Sequence, residues 1–346
     1  MSGTLTAEAI RAARADKPRL RARDLAESLG ISEAELVAAH VGRGVTRISA
    51  DPDRLVAGVE ALGDVMALTR NEHCVHERRG TYLDYRGGHH ASMVLGHEID
   101  LRIFPSHWVH AFAVEEAGDE GVKRSLQVFD AAGDAVHKVH LKPESDVAAY
   151  DRLVAGLRVA DQGAAVAVSA RAAVEPAKGD VAKAGDLREA WDRMTDTHQF
   201  LALVKRLGMN RLGAYRMVGE AHARPLARDA VTAVLNGAAA AAVPVMIFVG
   251  NRGCIQIHSG PVEKIVPMGP WINVMDARFN LHLRADKVAE VFWVTKPTRT
   301  GPAVSVEAFD AAGELILQIF GWRKDGDSSA WEALAASLPR REEVPA

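Results

Sequence analysis

Several features that would narrow the function are missing from this sequence. Its 346 residues include only two cysteines, Cys74 and Cys254, too few for a disulfide framework or a thiolate metal site. No apolar run approaches the ~20 residues that a membrane-spanning helix needs. The first residues also lack the continuous apolar core of a signal peptide. We therefore expect a reduced, cytoplasmic protein that is not embedded in a membrane.

The charge balance argues against one class of partner. The formal net charge is −3 and the sequence pI is about 6.5, so no general attraction to nucleic acid or to an anionic membrane is expected. The basic clusters near the start of the chain and at HERR (76–79) are short and interrupted. Such clusters are typical of a solvated surface, and we predict no nucleic-acid partner.

Three families of catalytic motif are absent as well. The sequence has no HExxH pattern or clustered carboxylates, which argues against a site for a bare zinc or iron ion. No GxGxxG follows a predicted strand, so a self-contained nicotinamide or flavin reductase is not expected. No GxSxG elbow supports Ser-His-Asp catalysis.

The sequence contains two copies of one pattern. SLQVFDAAGDAVHKV begins at residue 125 and SVEAFDAAGELILQI at residue 305, an offset of 180 residues (305 minus 125). The same offset separates other identical pairs, namely Asn71 and Asn251, and Cys74 and Cys254. Solenoid repeats have periods of about 20–50 residues, so each copy here is a whole domain. We predict a tandem duplication.

The composition places the boundary between the copies. Residues 161–185 are rich in alanine and glycine and contain no large apolar side chain beyond valine, which indicates a linker. The predicted repeats are therefore 1–160 and 186–346. In the second repeat, amphipathic helical spacing gives way after Pro244 to short β-rich runs with tight turns. We predict an α+β fold in which each half is a large antiparallel sheet with flanking helices.

One histidine belongs to the second copy alone. His198, in WDRMTDTHQF, follows the N-cap candidates Thr195 and Asp196, which predicts a position in the first turn of a helix. The corresponding part of copy one, PRLRARDLAESLG (18–30), has no histidine. A lone histidine at a helix start is commonly structural, but a residue that the shared scaffold does not require is more often part of a site.

A single histidine is sufficient for a metal that is already held by a macrocycle, as in haem. No second ligand lies three or four residues from His198. Haem would also need basic residues for its propionates and an apolar slot for its ring. The second copy offers candidates for both: Arg211, Phe248, Trp293, Lys296, Phe320 and Arg323.

Longer blocks of the sequence resemble a known family. VMALTRNEHCVHE, EIDLRIF, TDTHQFLALVKR, FVGNRGCIQIHSGPVEKI, WINVMDARFNLHLR and VTKPTRTG are similar to the signature blocks of bacterial cytoplasmic haemin-binding proteins. These are the HemS/ChuS/HmuS-type products of haem-uptake operons, also called haemin transport or haemin-degrading factors. The resemblance extends from about residue 20 to residue 338.

The resemblance implies a site that holds one haem b per chain, mainly in the second half. His198 would coordinate the iron, and Arg102 of the IDLR block would reach over the distal face from the first copy. Phe248 would pack near the ring. Four polar residues would contact the propionates or the pocket rim: Arg211, Lys296, Gln318 and Arg323.

The chain departs from the family pattern at one point. Where relatives commonly have LYGQR, this sequence has IFGWR, so Phe320 replaces a tyrosine and Trp322 replaces a glutamine. The missing hydroxyl removes a hydrogen bond worth ~1 kcal/mol near the haem. This leaves Phe320 a packing role.

The sequence is compatible with three functions. A carrier would take haem from the cytoplasmic face of a haem ABC importer and pass it to a haem oxygenase. An enzyme would open the macrocycle itself with an external electron donor. Both need His198 and Arg102, and the sequence does not separate them, because the cofactor supplies the difficult chemistry. An interaction module that binds no haem would leave His198 unexplained.

Overall fold

Two compact units make up the protein. A computed structural model describes residues 5–118, 121–322 and 327–342. Unit 1 comprises the described residues up to 70, 76–172 and 250–256. Unit 2 comprises 71–75, 173–249 and the described residues from 257 onward. The division after residue 172 falls inside the segment 161–185 for which the composition predicts a linker.

Strands dominate the elements of both halves of the chain. The strands of the first half are β1 (Val45–Ile48), β2 (Val65–Arg70), β3 (Cys74–Gly80), β4 (Tyr85–Arg86), β5 (Ser92–Leu95), β6 (Asp100–Ile103), β7 (His110–Gly118), β8 (Gly121–Phe129) and β9 (Ala135–Leu141). Those of the second half are β10 (Ala223–Leu226), β11 (Val245–Gly250), β12 (Cys254–Gly260), β13 (Ile265–Met268), β14 (Trp271–Met275), β15 (Phe279–Arg284), β16 (Glu290–Lys296), β17 (Ala303–Phe309) and β18 (Leu315–Gly321).

Helices precede, interrupt and close each series of strands. In the first half they are α1 (Ala7–Asp16), α2 (Ala22–Leu29), α3 (Glu33–Ala38), α4 (Pro52–Val59) and α5 (Val147–Leu157). In the second half they are α6 (Ala184–Asp192), α7 (Gln199–Arg206), α8 (Arg211–Val218), α9 (Ala230–Ala240) and α10 (Ser329–Ala336). Single 3₁₀ turns lie at Glu60–Leu62, Pro105–His107, Val181–Lys183 and Ala285–Lys287.

Two large antiparallel sheets have these strands in matching orders. One has β1-β7-β8-β9-β2-β3 side by side, and the other has their second-copy counterparts β10-β16-β17-β18-β11-β12. The shorter strands β6-β5-β4 and β15-β14-β13 are also antiparallel neighbours. The predicted α+β class with flanking helices is confirmed. Among the described residues, no helix is long and apolar enough to cross a bilayer.

The repeated DAAG segments form the same hairpin turn in both copies. The carboxylate of Asp130 accepts the backbone N–H groups of Ala132 and Asp134, each at 2.9 Å. Asp310 accepts those of Ala312 and Glu314 at the same distances. The glycine of each turn has a positive φ, 80° at Gly133 and 94° at Gly313, a conformation that favours glycine. The repeated sequence therefore encodes a repeated turn.

The segment between the repeats is held in place by hydrogen bonds at both ends. The amide of Gln162 bonds both backbone groups of Arg47 in unit 1, at 3.0 and 2.8 Å. Asn210 of unit 2 accepts the Lys178 N–H at 2.9 Å and donates to the Pro176 carbonyl at 2.8 Å. Residues 160–180 contain no helix or strand, and regular structure resumes with the 3₁₀ turn at Val181–Lys183 and α6. The side chains that anchor this segment lie partly outside it in the sequence.

In unit 2, helices cover both faces of the sheet. One face packs against α9 and α10 through a large apolar cluster that includes Val306, Ile319 and Trp331. The opposite face packs against α6, α7 and α8 through a second cluster, which includes Phe200 and Phe292. Successive residues of a strand point to opposite faces, so alternation along β16 to β18 assigns each side chain to one of these layers.

A polar network lies within the core of unit 1. The ring of His137 is bonded at both nitrogens, Nδ1 to the hydroxyl of Thr69 (2.8 Å) and Nε2 to that of Tyr82 (2.6 Å). All three side chains are buried. Burial, with a smaller contribution from the nearby His140, lowers the pKa of His137 to about 3. The matching position of β18 is Leu317, so the scaffold itself does not require this histidine.

His137 should make the protein sensitive to acid. The unfolded chain has an ordinary histidine pKa, so between about pH 6.5 and about pH 3 it binds a proton that the folded unit does not. Stability is therefore lost as pH falls through this range, by up to ~1.4 kcal/mol per pH unit. His137→Leu should flatten the acid side of the urea-unfolding profile. It should also lower stability at neutral pH, because two buried hydroxyls lose their partner.

The exposed His89 supplies a control for this prediction. His89→Leu should leave the pH profile of unfolding unchanged. Parallel profiles for wild type and His137→Leu would show that the buried histidine does not cause the loss of stability in acid.

Candidate functional site

The segment before α7 presents His198 to solvent. Helix α7 begins at Gln199, with His198 in the N-cap position, so the expectation of a place in the first turn is off by one residue. The Asp196 carboxylate accepts the backbone N–H of His198 at 2.9 Å, in the turn directly before the helix. The side chain of His198 is 91% exposed. Its ring is therefore accessible to a ligand.

Asp196 also fixes the ring of His198. One oxygen of the carboxylate lies 2.7 Å from Nδ1. The backbone N–H of His198, followed by its ring, lowers the pKa of Asp196, which therefore stays ionised at neutral pH. A carboxylate on Nδ1 selects the tautomer with its proton there, which leaves the lone pair on Nε2 directed away from the protein. Histidines that bind metals are commonly oriented in this way.

Most of the other predicted site residues lie on one face of the sheet in unit 2. Gln318 of β18 pairs with Glu307 on one side and with Phe248 of β11 on the other. Phe248 and Phe320 are both half-buried, with ring centroids 5.2 Å apart in an edge-on arrangement. Lys296 of β16 lies on the same face, which is the one that α6, α7 and α8 partly cover. The structure thus brings four predicted residues together.

A buried ion cluster occupies the centre of this face. The carboxylate of Glu307 accepts from Lys296 Nζ at 2.9 Å and from Arg211 Nη1 at 2.9 Å. The Tyr215 hydroxyl donates to Glu307 at 2.9 Å and accepts from Lys296 at 2.8 Å. Ser305 supplies a fourth donor to the carboxylate, also at 2.9 Å. Arg211 and Lys296, which the resemblance assigns to the haem propionates or the pocket rim, thus already share an anionic partner within the protein.

The charges in this cluster stabilise one another. Burial alone would raise the pKa of Glu307, but Lys296 and Arg211 outweigh it and lower that pKa to about 2. Burial lowers the pKa of Lys296 to about 8 although Glu307 opposes it. The side chain of Glu307 is fully buried and that of Lys296 is 4% exposed, whereas Arg211 is 21% exposed. Only Arg211 therefore has appreciable access to a bound molecule.

The cluster also supports the start of α7. The ring of Phe200, two residues after His198, has Lys296 Nζ 4.7 Å and the Arg211 guanidinium 5.5 Å from its centroid. The backbone N–H of Arg299, just beyond β16, donates to the Thr195 carbonyl at 3.1 Å. The turn that carries His198 is therefore held at the Lys296 end of the sheet face.

Two predicted residues are not part of this arrangement. Arg102 belongs to unit 1, where its guanidinium pairs with Asp100 and donates to the Leu101 carbonyl at 3.0 Å. Burial raises the pKa of Asp100, with Arg102 opposing it. Arg323 lies outside the described residues.

Glu307, at the centre of the cluster, is not among the residues predicted from the sequence. Glu307 and Ser305 are polar residues two positions apart in an otherwise apolar strand, SVEAF, so they share a face. This is the signal that could have identified the cluster, since a charge in a buried strand requires a partner. Within the described ranges, no group of three or more histidine, cysteine, aspartate or glutamate side chains could hold a metal ion.

Comparison with known families decides the classification. The model of the haemin-degrading HemS.ChuX domain matches residues 30–157 and again residues 208–338. The chain belongs to the HemS family. The double match fits the duplicated pattern of this HemS protein, although His198 precedes the second matched segment. The resemblance inferred from the sequence blocks is confirmed.

The similarity to known proteins extends over nearly the whole chain. The hemin transport protein HmuS of Yersinia pestis is 39% identical over 331 residues, which are 94% of this chain and 95% of that protein. The structure of holo-PhuS, a heme-binding protein from Pseudomonas aeruginosa, is 43% identical, with a TM-score of 0.92 over 96% of this chain and 98% of that one. ChuS, described as an E. coli heme oxygenase, is 34% identical, with a TM-score of 0.84 over 94% and 98%.

Breaking the buried ion cluster should destabilise unit 2. Glu307→Gln leaves Lys296 and Arg211 without their anion, and we expect a loss of about 3 kcal/mol of unfolding free energy in urea denaturation. Adding Lys296→Met to that variant should recover part of the loss, because one unpaired buried cation is removed. Glu189→Gln, which breaks an exposed pair with Arg193, is the control and should cost less than ~1 kcal/mol. Equal losses for Glu307→Gln and Glu189→Gln would contradict the assignment.

Proposed function

We propose that this protein binds one haem b per chain, with the iron coordinated by His198 Nε2. The observation that carries the proposal is the exposed imidazole whose Nδ1 is held by the Asp196 carboxylate. That arrangement leaves Nε2 as an oriented, accessible ligand atom. Relatives that are 39–43% identical over nearly the full chain are named as hemin-transport or heme-binding proteins, which supports the choice of ligand.

The neighbouring residues fit the remaining parts of a haem. The half-buried rings of Phe248 and Phe320 offer apolar surface for a macrocycle. Arg211, whose cluster has a surplus of one positive charge, can reach a carboxylate such as a propionate. Gln318, Lys296 and Arg323 would contribute to the rim or its support, and Arg102 would act on the distal side.

We further propose that the protein is a cytoplasmic carrier in haem uptake. It would take haem from the cytoplasmic face of an ABC importer and deliver it to a haem oxygenase. A single protein ligand on an exposed turn supports transfer, because release then requires the loss of one coordinate bond to the protein. The full-length similarity to a hemin transport protein points the same way.

Titration of the apo-protein with haemin tests the ligand. Wild type should show a saturable one-to-one change in Soret absorption, and His198→Ala should shift the Soret band and weaken binding. Asp196→Asn should weaken binding about tenfold or more, because the ring loses its orienting carboxylate. Arg102→Ala should retain the coordination by His198 and so the main features of the spectrum.

His222→Ala is a matched control for this titration. His222 also pairs with an aspartate, Asp192, at 2.7 Å, but its side chain is only 15% exposed. It should leave the Soret titration unchanged. Indistinguishable spectra for wild type and His198→Ala would refute the proposed coordination.

A haem-degrading enzyme is the second candidate, favoured by the full-length similarity to ChuS, a heme oxygenase by description. Ring opening would consume dioxygen and electrons from an external donor. The haemin-loaded protein is to be incubated in air with ascorbate and catalase, then with apo-myoglobin. A carrier should retain its Soret band and pass haem to apo-myoglobin. Steady loss of the Soret band with release of iron, abolished in His198→Ala, would favour the enzyme.

A further inference from the structure

Glu307 is sealed from solvent by the groups that it binds. Its two oxygens accept hydrogen bonds from Lys296, Ser305, Arg211 and Tyr215, all at 2.9 Å. The side chain has no exposed surface. It therefore cannot touch a molecule that binds from solution, and any effect on binding must pass through these partners.

We infer that Glu307 is a positioning residue for the anionic groups of the ligand, because it fixes the Arg211 guanidinium that would meet them. The inference rests on the proposed haem-binding function. Both hydrogen bonds that Arg211 makes within the described ranges use Nη1, to Glu307 and to Tyr215. The Nε and Nη2 donors stay available for a carboxylate while the guanidinium is held.

Lys296 acts beside Glu307 as a second support. At 4% exposure it is too buried to serve as a freely reaching cation, and its ammonium lies against Tyr215, Glu307 and the face of Phe200. With one carboxylate between two cations, the cluster has a net charge of +1. The surplus is located at Arg211, the more accessible of the two cations.

The first copy shows that the scaffold does not require this carboxylate. Gln127 occupies the position of Glu307 there, with Ser125 in place of Ser305, and the amide of Gln127 donates to Ser125 at 3.0 Å. The position of Lys296 corresponds to Glu116, which is exposed. The strand pair β7–β8 thus forms without a carboxylate at this position, and the buried carboxylate of unit 1, Glu33, comes from α3 instead. Pairing of these strands therefore does not require Glu307.

Variants of Glu307 distinguish the location of the Arg211 guanidinium from the net charge of the cluster. Glu307 is the group that opposes the lowering of the Lys296 pKa to about 8, so its removal lowers that pKa further. Removing Lys296 together with Glu307, in Glu307→Gln/Lys296→Met, leaves the cluster with the same net charge of +1, carried by Arg211. What the variant loses is the fixed location of that charge.

The test compares haemin with its dimethyl ester, which lacks the propionate charges. Both ligands are titrated into wild type, Glu307→Gln and the double variant Glu307→Gln/Lys296→Met, the latter because it leaves no unpaired buried lysine. Glu33→Gln is the matched control. Glu33 of unit 1 is likewise buried between two cations, Arg70 and Lys138, and its pKa is lowered to about 2.

Wild type should prefer haemin to the ester by about tenfold or more. Both Glu307 variants should lose most of that preference through a roughly tenfold weaker haemin affinity, with ester affinity and Soret position unchanged. Glu33→Gln should keep the wild-type preference. An unchanged preference in both Glu307 variants, equal loss for both ligands, or the same loss in Glu33→Gln would overturn the inference. Failure of wild type to bind haemin would overturn the proposed function with it.

Discussion

One buried carboxylate determines how the candidate site is built. Moving Glu307 out of water costs several kcal/mol, and the structure offsets this with two cations and two hydroxyls from α8, β16 and β17. These partners must converge for the fold to be stable, so α8 is fixed against the sheet. Phe200, the second residue of α7, has both cations near its ring. The ion cluster thus contacts the helix that follows His198, whereas the turn that carries His198 is held by Asp196 and Arg299.

The two copies show which parts of the sequence the scaffold needs. Their hairpin turns are the same, with Asp130 and Asp310 making identical hydrogen bonds. Their polar interiors differ. In the first copy, His137 is buried between two hydroxyls, and the second copy has Leu317 at that position. In the second copy, Glu307 is buried, and the first copy has Gln127 at that position. Strand pairing and turn chemistry are thus common to the two halves, whereas their buried polar groups differ.

Local patterns predicted most of the fold and one side of the site. Helical spacing followed by short strands predicts the α+β class, and the offset of 180 residues predicts the two copies. Alternation alone places Gln318 and Phe320 on one face. Contacts between residues that are distant in sequence could not be predicted this way. Arg211 and Glu307 are 96 residues apart, so no sequence pattern shows that Arg211, a predicted ligand contact, forms an ion pair with Glu307. The start of α7 differs by one residue from the prediction, because candidate N-cap residues follow one another here and their order alone does not select one.

The buried ion cluster around Glu307 and the exposed ring of His198 differ in a way that matters for the proposed function. A haem carrier must bind selectively yet release its cargo, and these demands conflict if every contact is deep. The proposed ligand atom lies on an exposed turn, so a bound haem would leave without opening the core around Glu307. The contacts that hold this region, Asp196 to Nδ1 and the ion cluster to Phe200, are formed within the protein itself. Ordering of the site would therefore add little to the cost of binding, which favours affinity, while the exposed position of the proposed ligand atom favours release.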